Sequence, residues 1–81
     1  MRPTRTEVLN ALLGLGWPQF DAERAAEQVS GLWQPGRLPW TVGDVGGWYR
    51  VARDAAQVSV WDDANRGRAE GLRDLLNTRW P

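Results

Sequence analysis

Thr41-Val42-Gly43-Asp44-Val45-Gly46-Gly47-Trp48-Tyr49-Arg50-Val51-Ala52-Arg53-Asp54-Ala55-Ala56 is the stretch on which the fold class of this chain turns. Thr41 with Asp44 three residues later has the form of a helix start, a hydroxyl that can accept from the backbone and an acid in the first turn. Val45, Trp48, Tyr49, Ala52 and Ala55 then recur at i, i+3, i+4 and i+7, which makes one apolar helix face. The spacing predicts a helix over 42–56. Gly46 and Gly47 oppose it, each by about 1 kcal/mol relative to alanine in a helix interior. A close approach of a second helix, or an indole packed over the backbone, accounts for glycine there. Gly43 to Gly47 also spells Gly-x-x-Gly-Gly. With no lysine and no following serine or threonine it does not make a phosphate loop.

Downstream, Val58-Ser59-Val60-Trp61 alternates as a short strand would, but a single four-residue strand has no partner in an otherwise helical chain. Ser59 with Asp62 repeats the cap-and-acid pattern, and Trp61, Asn65, Ala69, Leu72, Leu75 and Leu76 keep helical spacing. A helix over 60–77 is expected, with Asp62–Arg66 and Arg66–Glu70 as i,i+4 pairs on its outside and Arg79 at its negative end. Upstream, Thr4 and Glu7 form a capping box. Val8, Leu9, Leu12 and Leu13 share a face, and Gly14 or Gly16 supplies the left-handed residue that ends the helix. That helix covers 5–13. After Trp17-Pro18-Gln19-Phe20, Asp21 serves as N-cap with Phe20 stapled onto Ala25. Ala25, Ala26, Val29, Leu32 and Trp33 then line a helix over 22–33, stopped by Gln34-Pro35-Gly36. Arg37-Leu38-Pro39-Trp40 reads as a loop packed down across the molecule. The expected fold is all-α: a single domain, 1–81, folded as a small bundle of about four helices.

The chain holds six tryptophans in 81 residues and no cysteine, histidine or lysine. A domain this short is poor in buried area, so the indoles are expected to supply the core, with any left outside serving as anchors for a partner. Without cysteine there is no disulfide, thiolate nucleophile or Cys-based zinc site. Without histidine a metal would need carboxylates alone, and these are scattered, so no metal or cofactor is expected. Ser30 and Ser59 have no histidine or lysine to activate them. Asp62 and Asp63, adjacent on a helix, would point about 100° apart rather than form a catalytic pair. An enzyme is therefore not expected. No apolar run is long enough for a membrane span, and Met1-Arg2-Pro3-Thr4-Arg5 leads into no signal-peptide core; a cytoplasmic location follows. Lys+Arg and Asp+Glu both total ten, for zero net charge, which argues against a general basic field for nucleic acid. Arginine without lysine, beside much alanine, glycine and tryptophan, fits a GC-rich genome, an actinobacterium or one of its bacteriophages.

Val8-Leu9-x-x-Leu12-Leu13-x-Leu15-Gly16-Trp17, followed by Asp21-Ala22-x-x-Ala25-Ala26-x-x-Val29, resembles the first two helices of UBA-like three-helix domains. The C-terminal domain of the Holliday-junction protein RuvA is the member it looks closest to. The resemblance covers about residues 5–30. Beyond it this chain has a longer Pro- and Gly-containing loop and two further helices where the family has one short helix. In such domains the Gly-aromatic turn belongs to an apolar surface for a partner, and in RuvA the domain docks a motor protein rather than DNA. The resemblance thus implies a helical hairpin and nominates Leu15, Gly16 and Trp17 as partner contacts.

The function expected on these grounds is a small non-catalytic protein–protein interaction module. Its contacts would be Leu15, Gly16, Trp17, Trp33 and Trp40 with an arginine rim, the composition favoured in hot spots. A bacteriophage protein acting on a host factor is its concrete form. The alternative is a helical DNA-binding protein with Arg50, Arg53, Arg66 and Arg68, on the third and fourth helices, against phosphates. A helix-turn-helix needs a turn of three or four residues, and the connectors 15–20 and 34–40 are longer.

Overall fold

Gly46 and Gly47, which a helix would tolerate poorly, both have positive φ, +61° and +88°. Two consecutive left-handed residues make the two-residue type I′ turn that matches the twist of antiparallel strands. In the computed structural model, which describes residues 2–81, the segment is a β-hairpin. β1 (Thr41–Val45) and β2 (Trp48–Arg53) pair with Val45 opposite Trp48, and β3 (Val58–Asp63) pairs antiparallel with β2. The sheet order is β1-β2-β3. Helices α1 (Arg5–Gly14) and α2 (Gln19–Leu32) precede the sheet, and α3 (Arg66–Arg79) follows it. The molecule is therefore α+β and not all-α. The expected helix over 42–56 is two strands, and the one over 60–77 is β3 followed by α3.

Local chemistry explains each difference. Thr41 and Asp44 do not cap a helix. Thr41 Oγ1 donates to the Ala52 carbonyl across the ladder at 3.2 Å, and Asp44 Oδ1 accepts from the Gly47 amide at 3.2 Å, bracing the turn. Asn65, expected on an apolar face, is the N-cap of α3 and accepts from the Arg68 amide at 3.1 Å. Asp62 pairs across the sheet with Arg50 rather than along a helix with Arg66, whereas the Arg66–Glu70 pair forms at 3.2 Å. The N-terminal half follows expectation more closely. Thr4 and Glu7 make the capping box of α1. Gly16, at φ +89°, closes that helix: its amide donates to Leu13 O, and the Trp17 amide to Leu12 O. These two bonds are the Schellman pair. α2 begins at Gln19, with Pro18 at the cap position, so Asp21 lies in the first turn; Phe20 is exposed and staples nothing.

β3 carries a bulge. Val51 faces Trp61 while Ala52 faces Ser59, so Val60 is the extra residue. The bulge lets Val60 and Trp61 both enter the core. Its cost in ladder bonds is offset from outside the sheet, because Gln28 Nε2 on α2 donates to the Val60 carbonyl at 3.0 Å. α3 packs across all three strands, α2 against β3, and α1 against α2. Five of the six indoles are in the core, and only Trp48, at 53% exposure, stands outside. Among the described residues no helix is long and apolar enough to cross a membrane.

Candidate interaction surface

The tryptophans nominated as contacts turn inward. Trp17, C-terminal to the left-handed Gly16, is swung back over α1 and is only 6% exposed. Its ring lies 6.3 Å from that of Trp61, tilted by 49°, and the Arg68 guanidinium covers it at 4.4 Å. Trp33 and Trp40 are buried too. Trp33 Nε1 donates to the Trp80 carbonyl at 3.0 Å, and Trp40 is clamped by Asn77, whose side chain accepts from the Trp40 amide and donates to its carbonyl. Both are core residues, not a surface patch. Leu15 and Gly16 of the same turn are exposed as expected.

Among the large apolar side chains that are exposed, three form a different constellation. Phe20 at the start of α2 is 68% exposed, Trp48 at the start of β2 and Leu15 at the α1–α2 turn each 53%. A groove of about 560 Å³ runs from Phe20 past Arg24 and Gln28 to the edge of Trp61. A second shares Arg24, Gln28 and Trp61 and continues to Trp48, Asp62 and Arg68. A third begins at Arg68 and passes Trp17 to Leu15, along the side-chain-free backbone of Gly67 and Gly71. The three are joined through shared residues, and one large exposed apolar side chain stands in each.

The charges within this band hold it rigid. Arg68 reaches Asp21 on α2 at 3.3 Å and Asp63 on β3 at 3.5 Å. Asp63 also accepts from Trp61 Nε1 at 2.9 Å and from the Asn65 amide at 2.8 Å. One buried carboxylate thereby fixes the Trp61 floor, the β3–α3 corner and the guanidinium over Trp17. Arg24 lies over the Phe20 ring at 5.7 Å. Apolar anchors beside arginine, on a pre-set framework, are what protein hot spots are made of.

The four arginines nominated for phosphate contacts do not converge. No third helix carries Arg50 and Arg53; three apart on β2, they project to opposite faces. Arg50 grips Asp62 with two bonds of 2.9 and 3.1 Å, and this hydrogen-bonded pairing holds its pKa above the ordinary value. Arg53 is buried, which pushes its pKa down despite the nearby Asp54. Arg66 pairs with Glu70, and Arg68 is the bridge just described. Arg50, Arg66 and Arg68 are thus paired within the protein, and Arg53 is packed against Trp40. Ser30 Oγ and Ser59 Oγ donate to the Glu27 and Ala56 carbonyls, and among the described residues no cluster of three or more metal-ligating side chains occurs.

The surface residues that sequence reasoning missed are Phe20 and Trp48. Phe20 carried the signal of an aromatic next to a proline turn. Trp48 carried none while β2 was read as helix, because there it fell on the buried face. Comparisons with protein-family models, with curated proteins and with solved structures gave no match for this chain.

Proposed function

We propose that the protein is a non-catalytic protein–protein interaction module whose binding face is the band marked by Leu15, Phe20 and Trp48. The observation that carries it is the isolation of Trp48: a fold that buries its five other indoles leaves this one half exposed, in a groove it shares with Trp61 and Arg68. Exposing a large apolar side chain brings no folding benefit, and three set around one continuous groove describe a contact surface. Leu15 and Gly16, nominated through the UBA-like turn, lie at one end of it, and Trp17 contributes as floor. The absence of histidine and cysteine and the engagement of both serine hydroxyls with backbone carbonyls favour binding over catalysis.

The test is capture from a GC-rich bacterial lysate by wild type, by a Phe20→Ala/Trp48→Ala double variant, and by Leu32→Ala. Leu32 is exposed and lies outside the band. The expected result is one partner held by wild type and Leu32→Ala and lost by the double variant, with melting temperatures unchanged. Retention by the double variant, or equal loss by Leu32→Ala, overturns the assignment of this face.

A further inference from the structure

At the far end of β2 from Trp48, Arg53 presents a cation the fold does not neutralise. The residue is 1% exposed, and its Nε and Nη2 have no acceptor in the protein. Its guanidinium lies 3.9 Å above the Trp40 ring, and the Trp40 Nε1 is a third buried donor without a protein acceptor. Three unmet donors gathered at one contact, with no acceptor among them, call for an anion; a buried charge left unpaired is otherwise costly. Asp54 is the nearest carboxylate. It attracts Arg53 but makes no hydrogen bond to it, its backbone being held at φ +56°.

We propose that Arg53, with the indole N–H of Trp40, forms a carboxylate-binding site at the end of β2. The same strand supplies the template. Arg50 uses Nε and Nη2, the side-on fork of the guanidinium, to hold both oxygens of Asp62. In Arg53 the unmet atoms are those two. A carboxylate is acceptor-only and matches the fork. A monoanion also cancels the single buried charge, where a dianion would leave a net charge in its place.

The loop 34–39 braces the other edge of the guanidinium. A Cβ at Gly36 would meet Arg53 Cδ at 2.7 Å and Nη1 at 2.9 Å, so glycine lets the chain close against that edge of the side chain and leaves the Nε–Nη2 fork on the opposite edge. Among the described residues no hydrogen bond reaches 34–39; the segment is tied at its ends, through the Trp33 and Trp40 amides. Moving it breaks no hydrogen bond within the segment and frees the Cδ–Nη1 edge of Arg53.

The experiment follows the Arg53 Nε–H and Trp40 Nε1–H resonances of the full chain by NMR while acetate, N-acetyl-aspartyl amide, phosphate or chloride is added at constant ionic strength. Trp40→Phe, which keeps an aromatic face under Arg53, assigns the indole signal. The expected result is a saturable shift of both resonances with acetate and none with chloride, retained in Asp54→Asn and lost in Arg53→Gln. Binding of the aspartyl amide as well as acetate identifies the ligand as a carboxylate borne by a protein side chain. Acetate binding alone identifies a small free carboxylate. No saturable shift in wild type, an equal response to chloride, or saturation by phosphate at lower concentration than by acetate overturns the proposal. The wild-type titration decides even if Arg53→Gln fails to fold.

Discussion

Trp17 and Trp48 show how position along the chain sorts one residue type into two roles. Trp17 follows a left-handed glycine that reverses the chain, so its indole returns to the core beneath Arg68 and beside Trp61. Trp48 follows two such glycines, but in a hairpin turn, and stands at the strand start outside the core. Trp17→Ala should cost on the order of 3–5 kcal/mol, as for other buried large aromatics. A domain of this size has little stability to spare, so its melting temperature should collapse. Trp48→Ala should stay within about 0.5 kcal/mol of wild type, as exposed substitutions do. Paired thermal melts check both, and an unchanged Trp17→Ala melt contradicts the core assignment.

At the level of elements, the two turns of the sheet are opposites. Gly46 and Gly47 take positive φ at no steric cost, whereas Asp54, Ala55 and Ala56 are left-handed at +56°, +55° and +67° with Cβ atoms in place, each strained by about 1–2 kcal/mol. Gly46→Ala should therefore destabilise by about 1 kcal/mol and Ala55→Gly should stabilise by a smaller amount, since glycine returns part of the gain as backbone entropy. Chemical denaturation of the two variants should show opposite signs. The same turns mark the limit of what the sequence made legible. The caps of α1 are local and survived, the Thr4–Glu7 box and the Gly16 closure each coming from a few adjacent residues, whereas the caps expected at Asp21, Thr41–Asp44 and Ser59–Asp62 did not. Ala25, Ala26 and Val29 on α2, though not the exposed Leu32, and the second half of α3 were also readable from spacing. The hairpin was not, because Val45, Trp48, Tyr49 and Ala52 satisfy helical spacing by coincidence, and a Gly-Gly pair reads as a penalty within a helix as readily as a turn. With β2 read as helix, β3 had no partner, so one misreading removed two strands and with them the exposed position of Trp48. The ends of α1 give a further prediction. The Thr4 amide and hydroxyl both donate to Glu7 Oε1 at 3.0 Å, and the backbone bond first, then the hydroxyl, hold the Glu7 pKa below the usual glutamate range. A depressed carboxylate pKa stabilises above the unfolded value and loses that contribution as pH falls through the folded one. The first turn of α1 should loosen on the acid side of the ordinary glutamate range, with faster exchange of the Glu7 amide, while a Glu7→Gln variant shows no such step.

Across the whole molecule, two helical units must be held in register on the sheet: the α1–α2 hairpin touches it through β3, and α3 packs along all three strands. Arg68 spans all of them at once. It sits on α3, pairs with Asp21 of α2 and Asp63 of β3, and lies over the Trp17 ring after α1. Its charge alone is worth little, because a partly exposed ion pair gains under about 1 kcal/mol. The stacked guanidinium adds about 0.5–2 kcal/mol depending on how far it is desolvated, and its stem excludes water from Trp17 and Trp61. Removing it also takes the opposite charge away from buried Asp63. Arg68→Ala should thus destabilise by about 2 kcal/mol in total, more than any ion pair here predicts. Arg68→Lys, which keeps charge but neither fork nor plane, should recover less than half of that loss. If the role is chiefly electrostatic, lysine restores full stability and 1 M salt reproduces the alanine phenotype. If it is the planar bridge described here, salt leaves wild type nearly unchanged and lysine remains impaired. Urea unfolding of the three proteins at low and high salt distinguishes the two.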